Sequence, residues 1–307
     1  MKGINIQGCV RSKLHRGLSY NKMIDRCAEV LKDLGVTSVR IGGTPMEGAK
    51  FDEDVPGYGY PDELTPDQYN YPIAMLDVCQ AAGIKDVYIS LYAMGGYLNP
   101  TNGDIIGAQQ LALSRGITRI RYGLDNEQYS PHRTKTNSVD YPYMAQVRGA
   151  LAAQGFDAAW PLMYAASFEP LNRRNRRQGH TQRMMNSYDF NSLDAKETFE
   201  VHLYCPPTME PKAFLQDALL NTRQALEAYG LEDGRTVNFI VGEWSGKNQE
   251  VFDDDELEHI IREFSGVFKS KGVDNYYQLL GGGYDVHGLY NFFDDTKNRG
   301  YDLFKSL

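Results

Sequence analysis

Eight short runs of apolar and β-branched residues alternate with longer stretches, seven of them patterned for helix, and this alternation limits the fold more than any other feature. The strand-like runs are "GINIQG" (3–8), "VTSVRIGG" (36–43), "IKDVYISLY" (84–92), "ITRIRY" (117–122), "AAWPLMYAA" (158–166), "TFEVHLYC" (198–205), "TVNFIVGEWS" (236–245) and "VDNYYQLLGG" (273–282). Helical patterns fill 19–35, 65–83, 103–116, part of 139–155, 211–230, 254–272 and the closing "NRGYDLFKSL". Ser19 and Gly35 are placed as the cap and stop of the first helix, and Thr65 with Pro66 as the start of the second. Pro72 inside the second helix marks a kink or a later start, and Pro161 weakens the fifth strand. Several strands are nearly continuous apolar runs, as expected of strands covered on both faces. Repeating βα units without a composition break predict a (β/α)8 TIM barrel, an α/β fold, with residues 1–307 as a single domain. An open doubly wound sheet is the other arrangement of such units, but no glycine-rich phosphate loop follows an early strand.

Composition narrows the function. A formal charge of −8 leaves no excess of Lys and Arg for a phosphate backbone, which argues against nucleic acid as a partner. The chain is 42% hydrophobic and 23% charged, enough to bury a core, yet no apolar run is long enough to span a bilayer. It opens "MKGINIQG", without the apolar core of a signal peptide, so the expectation is a cytoplasmic protein unless a signal has been removed upstream. Cys9, Cys27, Cys79 and Cys205 are spread without CxxC spacing and read as free thiols, buried in the helices at 27 and 79. The His residues are equally scattered, and neither metal nor cofactor is implied.

Barrel enzymes carry their chemistry at the C-terminal ends of the strands. Those ends supply Arg40 on the second strand, Tyr92 on the third, Asn126 and Glu127 beyond the fourth, His202 and Tyr204 on the sixth, and Glu243 and Trp244 on the seventh. Carboxylates on strands four and seven face each other across a barrel mouth. Such a pair suits cleavage of a glycosidic bond, where one group protonates the leaving oxygen and the other attacks or stabilises the anomeric carbon.

With those residues in place, the chain resembles the retaining glycoside hydrolases of clan A, the "4/7" barrels. "GLDNE" resembles the strand-four motif, which implies Glu127 as acid/base and Asn126 as the ligand of the sugar 2-hydroxyl. "VGEWS" implies Glu243 as nucleophile, and "VHLY" resembles the His-x-Tyr of cellulase-like members, placing His202 and Tyr204 beside it. Arg40 matches the clan's strand-two arginine, which helps keep the nucleophile ionised. The resemblance implies a carbohydrate substrate, an oligo- or polysaccharide, hydrolysed by double displacement without a cofactor. Two departures stand out. Gln128 follows the acid/base where the clan often has Pro, and the eighth strand ends "YYQLLGG" where many members carry a platform Trp. Tyr284 and Tyr290 from the following loop are the candidates left for the floor of the central subsite, and Trp244 is either a stacking platform or part of the core.

Two loops add to this reading. "DVPGYGYPDE" puts Tyr58 and Tyr60 among turn residues, and "LNRRNRRQGH" gathers Arg173, Arg174, Arg176 and Arg177. The first is a sugar-stacking loop or a loop pinned by its own aromatics. The second is a solvated charge run or a site for an acidic glycan, since guanidinium forks match carboxylates. The competing functional classes are a catalytically inactive carbohydrate-binding barrel or attachment module, and a barrel enzyme whose carboxylates bind metal.

Overall fold

The computed structural model describes residues 1–6, 15, 17–43, 71–91, 103–124, 141–156, 158–161, 198–205, 210–216, 238–246, 254–278, 288–292 and 294–307. Eight parallel strands close into a barrel in chain order. They are β1 (Gly3–Asn5), β2 (Ser38–Gly43), β3 (Asp86–Leu91), β4 (Arg119–Gly123), β5 (Ala158–Pro161), β6 (Thr198–Cys205), β7 (Asn238–Gly246) and β8 (Asp274–Gln278). The ring is sealed by β1 lying beside β8, with Ile4 opposite Tyr277. Helices Tyr20–Asp33, Tyr71–Ala82, Gly103–Ser114, Tyr141–Ala153 and Asp254–Lys271 lie in the connections, and residues 211–216 are helical. The expected (β/α)8 architecture is what forms.

Local sequence explains most of the boundaries. Gly35 ends the first helix with φ of 67°, a conformation that costs a β-carbon dearly. Ser19 occupies the N-cap position with extended backbone, but its hydroxyl makes no capping bond. Pro72 is the second residue of Tyr71–Ala82, where a missing N–H goes unnoticed. Lys269 and Lys271 close Asp254–Lys271 at the negative end of its dipole. A short hairpin, β9 (Tyr290–Asn291) with β10 (Thr296–Lys297), precedes the last helix, Tyr301–Ser306, and had no counterpart in the sequence reading.

Strand alternation divides the side chains into two populations. Those pointing outward, such as Val39, Ile41, Val87, Ile89, Phe199 and Leu203, join Met23, Leu31, Met75 and Phe264 of the helices in the main apolar core. Those pointing inward fill the lumen, where Tyr88, Ala159, Ile240 and Tyr276 form a separate small cluster. Cys27, Cys79 and Cys205 are buried thiols, in no disulfide among the described residues, and pack as small hydrophobes; Cys9 lies outside the described residues. No described helix is long and apolar enough to cross a membrane.

Candidate active site

Inward-pointing residues above the Tyr88 layer are polar and converge. On β6 the alternation turns Thr198, Glu200, His202 and Tyr204 to the lumen and Phe199, Val201, Leu203 and Cys205 to the helices. Arg40 projects inward from β2 and Asn5 from β1, and both are fully buried. On β7 a simple alternation from Ile240 would send Glu243 outward and Trp244 inward. The register prevents that: Val201 pairs with Val241, but the next residue, His202, pairs with Glu243. Gly242 is therefore an extra residue, a β-bulge that resets the faces. The shift recurs against β8, where Val241 opposes Asn275 and Trp244 opposes Tyr277.

That bulge brings Glu243 into the mouth. Its Oε1 accepts from Arg40 Nη1 at 2.8 Å and from Asn5 Nδ2 at 3.1 Å. Its Oε2 accepts from the Tyr204 hydroxyl at 2.6 Å, with His202 Nδ1 at 3.4 Å. A second carboxylate lies directly below. Glu200 Oε1 accepts from Arg40 Nε at 2.9 Å and lies 3.0 Å from His202 Nε2. Glu200 Oε2 takes a short hydrogen bond from the Tyr88 hydroxyl. Burial alone would raise the Glu200 carboxyl; the charge of Arg40 and the hydrogen bonds of His202 and Tyr88 outweigh it and bring it down to about 2.

Two glycines make room for this second acid. A β-carbon at Gly242 would fall inside the Glu200 carboxylate, and one at Gly123 of β4 would crowd both Glu200 and the Tyr88 hydroxyl. Four of the residues expected from the sequence (Arg40, His202, Tyr204 and Glu243) are thus brought together. Asn126 and Glu127 lie outside the described residues, as do Tyr58, Tyr60, Tyr92, Tyr284 and the arginine run 173–177.

Trp244 is a correction. It is fully buried on the helix side of β7, with its ring against Phe264, Phe268 and Tyr277 and its indole N–H donated to Asn275 Oδ1. The bulge at Gly242 is the reason, since it gives the inward position to Glu243. Tyr290, the other described candidate, is half-buried in the hairpin before the last helix. Its ring packs on Phe292 and Tyr301, and its hydroxyl donates to Asp295, which is tied to Arg26. Glu200, Asn5 and Tyr88 went unnoticed in the sequence. For Glu200 a signal existed, because it shares strand parity with His202 and Tyr204.

The site as described is a carboxylate surrounded by donors at the open end of a barrel. It can bind an electron-poor centre or attack one. Among the described residues no group of three or more His, Cys, Asp or Glu side chains is placed to hold a metal ion.

No family model and no curated protein matches the sequence. Solved structures do match in fold. A family 5 xyloglucanase from Paenibacillus pabuli superposes with a TM-score of 0.51 at 13% identity, over 99% of this chain and 96% of that one. An endocellulase from Pyrococcus horikoshii in complex with cellotetraose gives 0.54 at 14% identity, over 100% and 92%. A β-mannanase from Thermomonospora fusca in complex with mannohexaose gives 0.50 at 12% identity, over 99% and 88%. The barrel is thus of the form found in these glycoside hydrolases, over nearly its whole length.

Proposed function

We propose that the protein is a retaining β-glycoside hydrolase that cleaves an O-glycosidic bond of an oligo- or polysaccharide by double displacement. The observation that carries this reading is Glu243. Its two oxygens accept from Asn5, Arg40 and Tyr204 at the C-terminal end of a barrel shared with xyloglucanase, cellulase and mannanase structures. A buried acid so completely surrounded by donors is suited to a nucleophile that must be ionised and oriented before substrate arrives.

In the first half-reaction a Glu243 oxygen bonds to the anomeric carbon as the C–O bond to the leaving group breaks. Glu127 gives its proton to the departing oxygen. In the second half-reaction Glu127 takes a proton from water, the water oxygen bonds to the anomeric carbon, and the ester to Glu243 breaks. Asn126 binds the 2-hydroxyl. Tyr204 and Arg40 hold Glu243 in line and accommodate the change in its charge between the two steps. His202 supports both through its contacts with the two buried acids.

The test is a panel of chromogenic aryl β-glycosides and polysaccharides, with Glu243→Gln as the control. Turnover lost in Glu243→Gln and recovered as an azide adduct in Glu127→Ala is the expected result. Turnover unchanged in Glu243→Gln ends the assignment. Binding to glycans without hydrolysis of any of them would favour a carbohydrate-binding barrel instead.

A further inference from the structure

His202 sits between two carboxylates and turns a different ring nitrogen to each. Nε2 is 3.0 Å from Glu200 Oε1, and Nδ1 is 3.4 Å from Glu243 Oε2. A neutral imidazole has one donor and one acceptor nitrogen, so it would set a lone pair against one of these acids. An imidazolium donates to both. Arg40 Nη2 also lies 3.3 Å from Nε2, but it is closer to Glu200 Oε1, at 2.8 Å, so that oxygen serves both donors. Charge leads to the same conclusion. Among the described residues, Arg40 and a protonated His202 balance Glu200 and Glu243, whereas a neutral ring would leave that buried group of four with a net negative charge. Burying a charge without a counter-charge is strongly unfavourable.

We propose that Glu200 is a positioning residue, which holds His202 as an imidazolium and Arg40 by two of its nitrogens, so that both cations present one N–H each to Glu243. The inference rests on the reading of Glu243 as the nucleophile, and it extends that reading to a residue two positions before His202. Glu200 takes the Nε–Nη2 edge of Arg40, so that edge does not compete for Glu243, where a two-pronged ion pair would quench rather than aim the attacking oxygen. Among the described residues, the groups that bear on the ring are Glu200 from β6, Glu243 from β7 and Arg40 from β2, and Tyr204 from β6 acts on it through Glu243. Tyr88 from β3 and Asn5 from β1 act through the two acids. Arg40 and Tyr88 both donate to Glu200, so Glu200 is the fixed anion around which the cluster is arranged. The depressed Glu200 carboxyl, brought to about 2, agrees with that role. So does the space cleared for it by Gly123 and Gly242.

The experiment is nitrogen NMR of the His202 ring in the full chain at pH 7, with His202→Gln used to assign its signals. Both ring nitrogens are expected to carry protons in the wild type, and only one in Glu200→Gln. On whichever aryl glycoside the protein hydrolyses, Glu200→Gln should lower kcat about 10–100-fold, the loss typical when the partner of a reacting group is removed. KM should stay within roughly twofold, because no sugar contact is touched. A wild-type ring with a single proton overturns the proposal, as does a Glu200→Gln ring that keeps both. If Glu200→Gln does not fold, the wild-type ring still decides. Because the ring is read without substrate, the two proposals separate. A doubly protonated ring in a protein inactive on every glycoside supports the cluster and ends the hydrolase reading.

Discussion

At the mouth of the barrel Arg40 lies between two acids that water scarcely reaches; at the floor Arg121 lies between two that water does. The Glu200 and Glu243 side chains are 2% and 5% exposed, against 15% and 30% for Asp86 and Asp274. Arg121 Nη2 is 3.0 Å from Asp86 Oδ1, Nη1 is paired with Asp274, and the Tyr276 hydroxyl accepts from Nη2 at 2.7 Å. Ser38 completes the floor beside Tyr276 at 3.1 Å. Between the two ends the Tyr88 and Tyr276 rings meet, with centroids 5.6 Å apart. One tyrosine turns its hydroxyl up to Glu200, the other down to Arg121. The same chemistry of arginine, acid and tyrosine thus closes the floor and equips the mouth, and solvent access is what separates the two.

The separation has an energetic consequence that single substitutions can break. Arg40→Met strands two dry carboxylates, so a stability loss of about 3–5 kcal/mol is expected, with loss of any turnover. Arg121→Met leaves acids that can turn to water. Its cost should be lower, about 1–3 kcal/mol, with turnover retained. Urea denaturation of both variants at pH 7 provides the measurement. An Arg121 variant as unstable as the Arg40 variant would mean that exposure does not distinguish the two ends.

Acid should weaken the mouth in a defined window. The Glu200 carboxyl is held at about 2 in the folded chain against an ordinary 4.5. A depressed acid stabilises the fold fully above its unfolded value, and that contribution is lost as pH falls from about 4.5 to about 2. The part at stake is on the order of 3 kcal/mol. Stability curves of wild type and Glu200→Gln, measured between pH 7 and pH 2, should therefore converge by about that amount toward the acid end. Parallel curves would show that Glu200 is not held ionised by the cluster.

Gly242→Ala tests how the mouth is built. The new methyl group would fall on the Glu200 carboxylate, so a cost of about 1–3 kcal/mol and a clear loss of turnover are expected in the same denaturation and glycoside assays. A neutral substitution would mean that the bulge is more elastic than its contacts indicate. This position also marks where the sequence stopped being legible. The barrel could be read because eight strand runs recur with helical stretches after seven of them, and β6 runs from Thr198 to Cys205, as its apolar alternation predicts. Arg40, His202, Tyr204 and Glu243 could be placed because they sit near strand ends. Trp244 was misplaced because an inserted residue leaves no trace in a one-dimensional pattern, and only pairing with β6 and β8 reveals it. Glu200 was overlooked for the opposite reason. Its inward parity is plain in the sequence, but it lies one turn of the pleat below the tip, where a search confined to strand ends does not look. The Asn126–Glu127 pair, the most specific motif in the sequence, remains an expectation from resemblance.

The smallest effect belongs to the rim of the floor. Arg119 begins β4 and pairs with the same Asp86 as Arg121, at 3.0 Å, and more loosely with Asp274, at 3.8 Å. Its side chain is 59% exposed, so most of what the pair gains in attraction is offset by lost hydration and by the entropy of holding a long side chain still. Arg119→Ala should change stability by about 0–1 kcal/mol, an effect that shrinks further in high salt because exposed charges are screened. Arg121, two residues on and facing the lumen beside it, should keep its larger cost at the same salt concentration, since part of its cluster is sheltered. Denaturation of the two variants at low and high salt reads both quantities. A salt-independent loss above about 2 kcal/mol at Arg119 would make the floor a single buried network reaching its outermost arginine. The contrast between a wet floor and a dry mouth would then have to be redrawn.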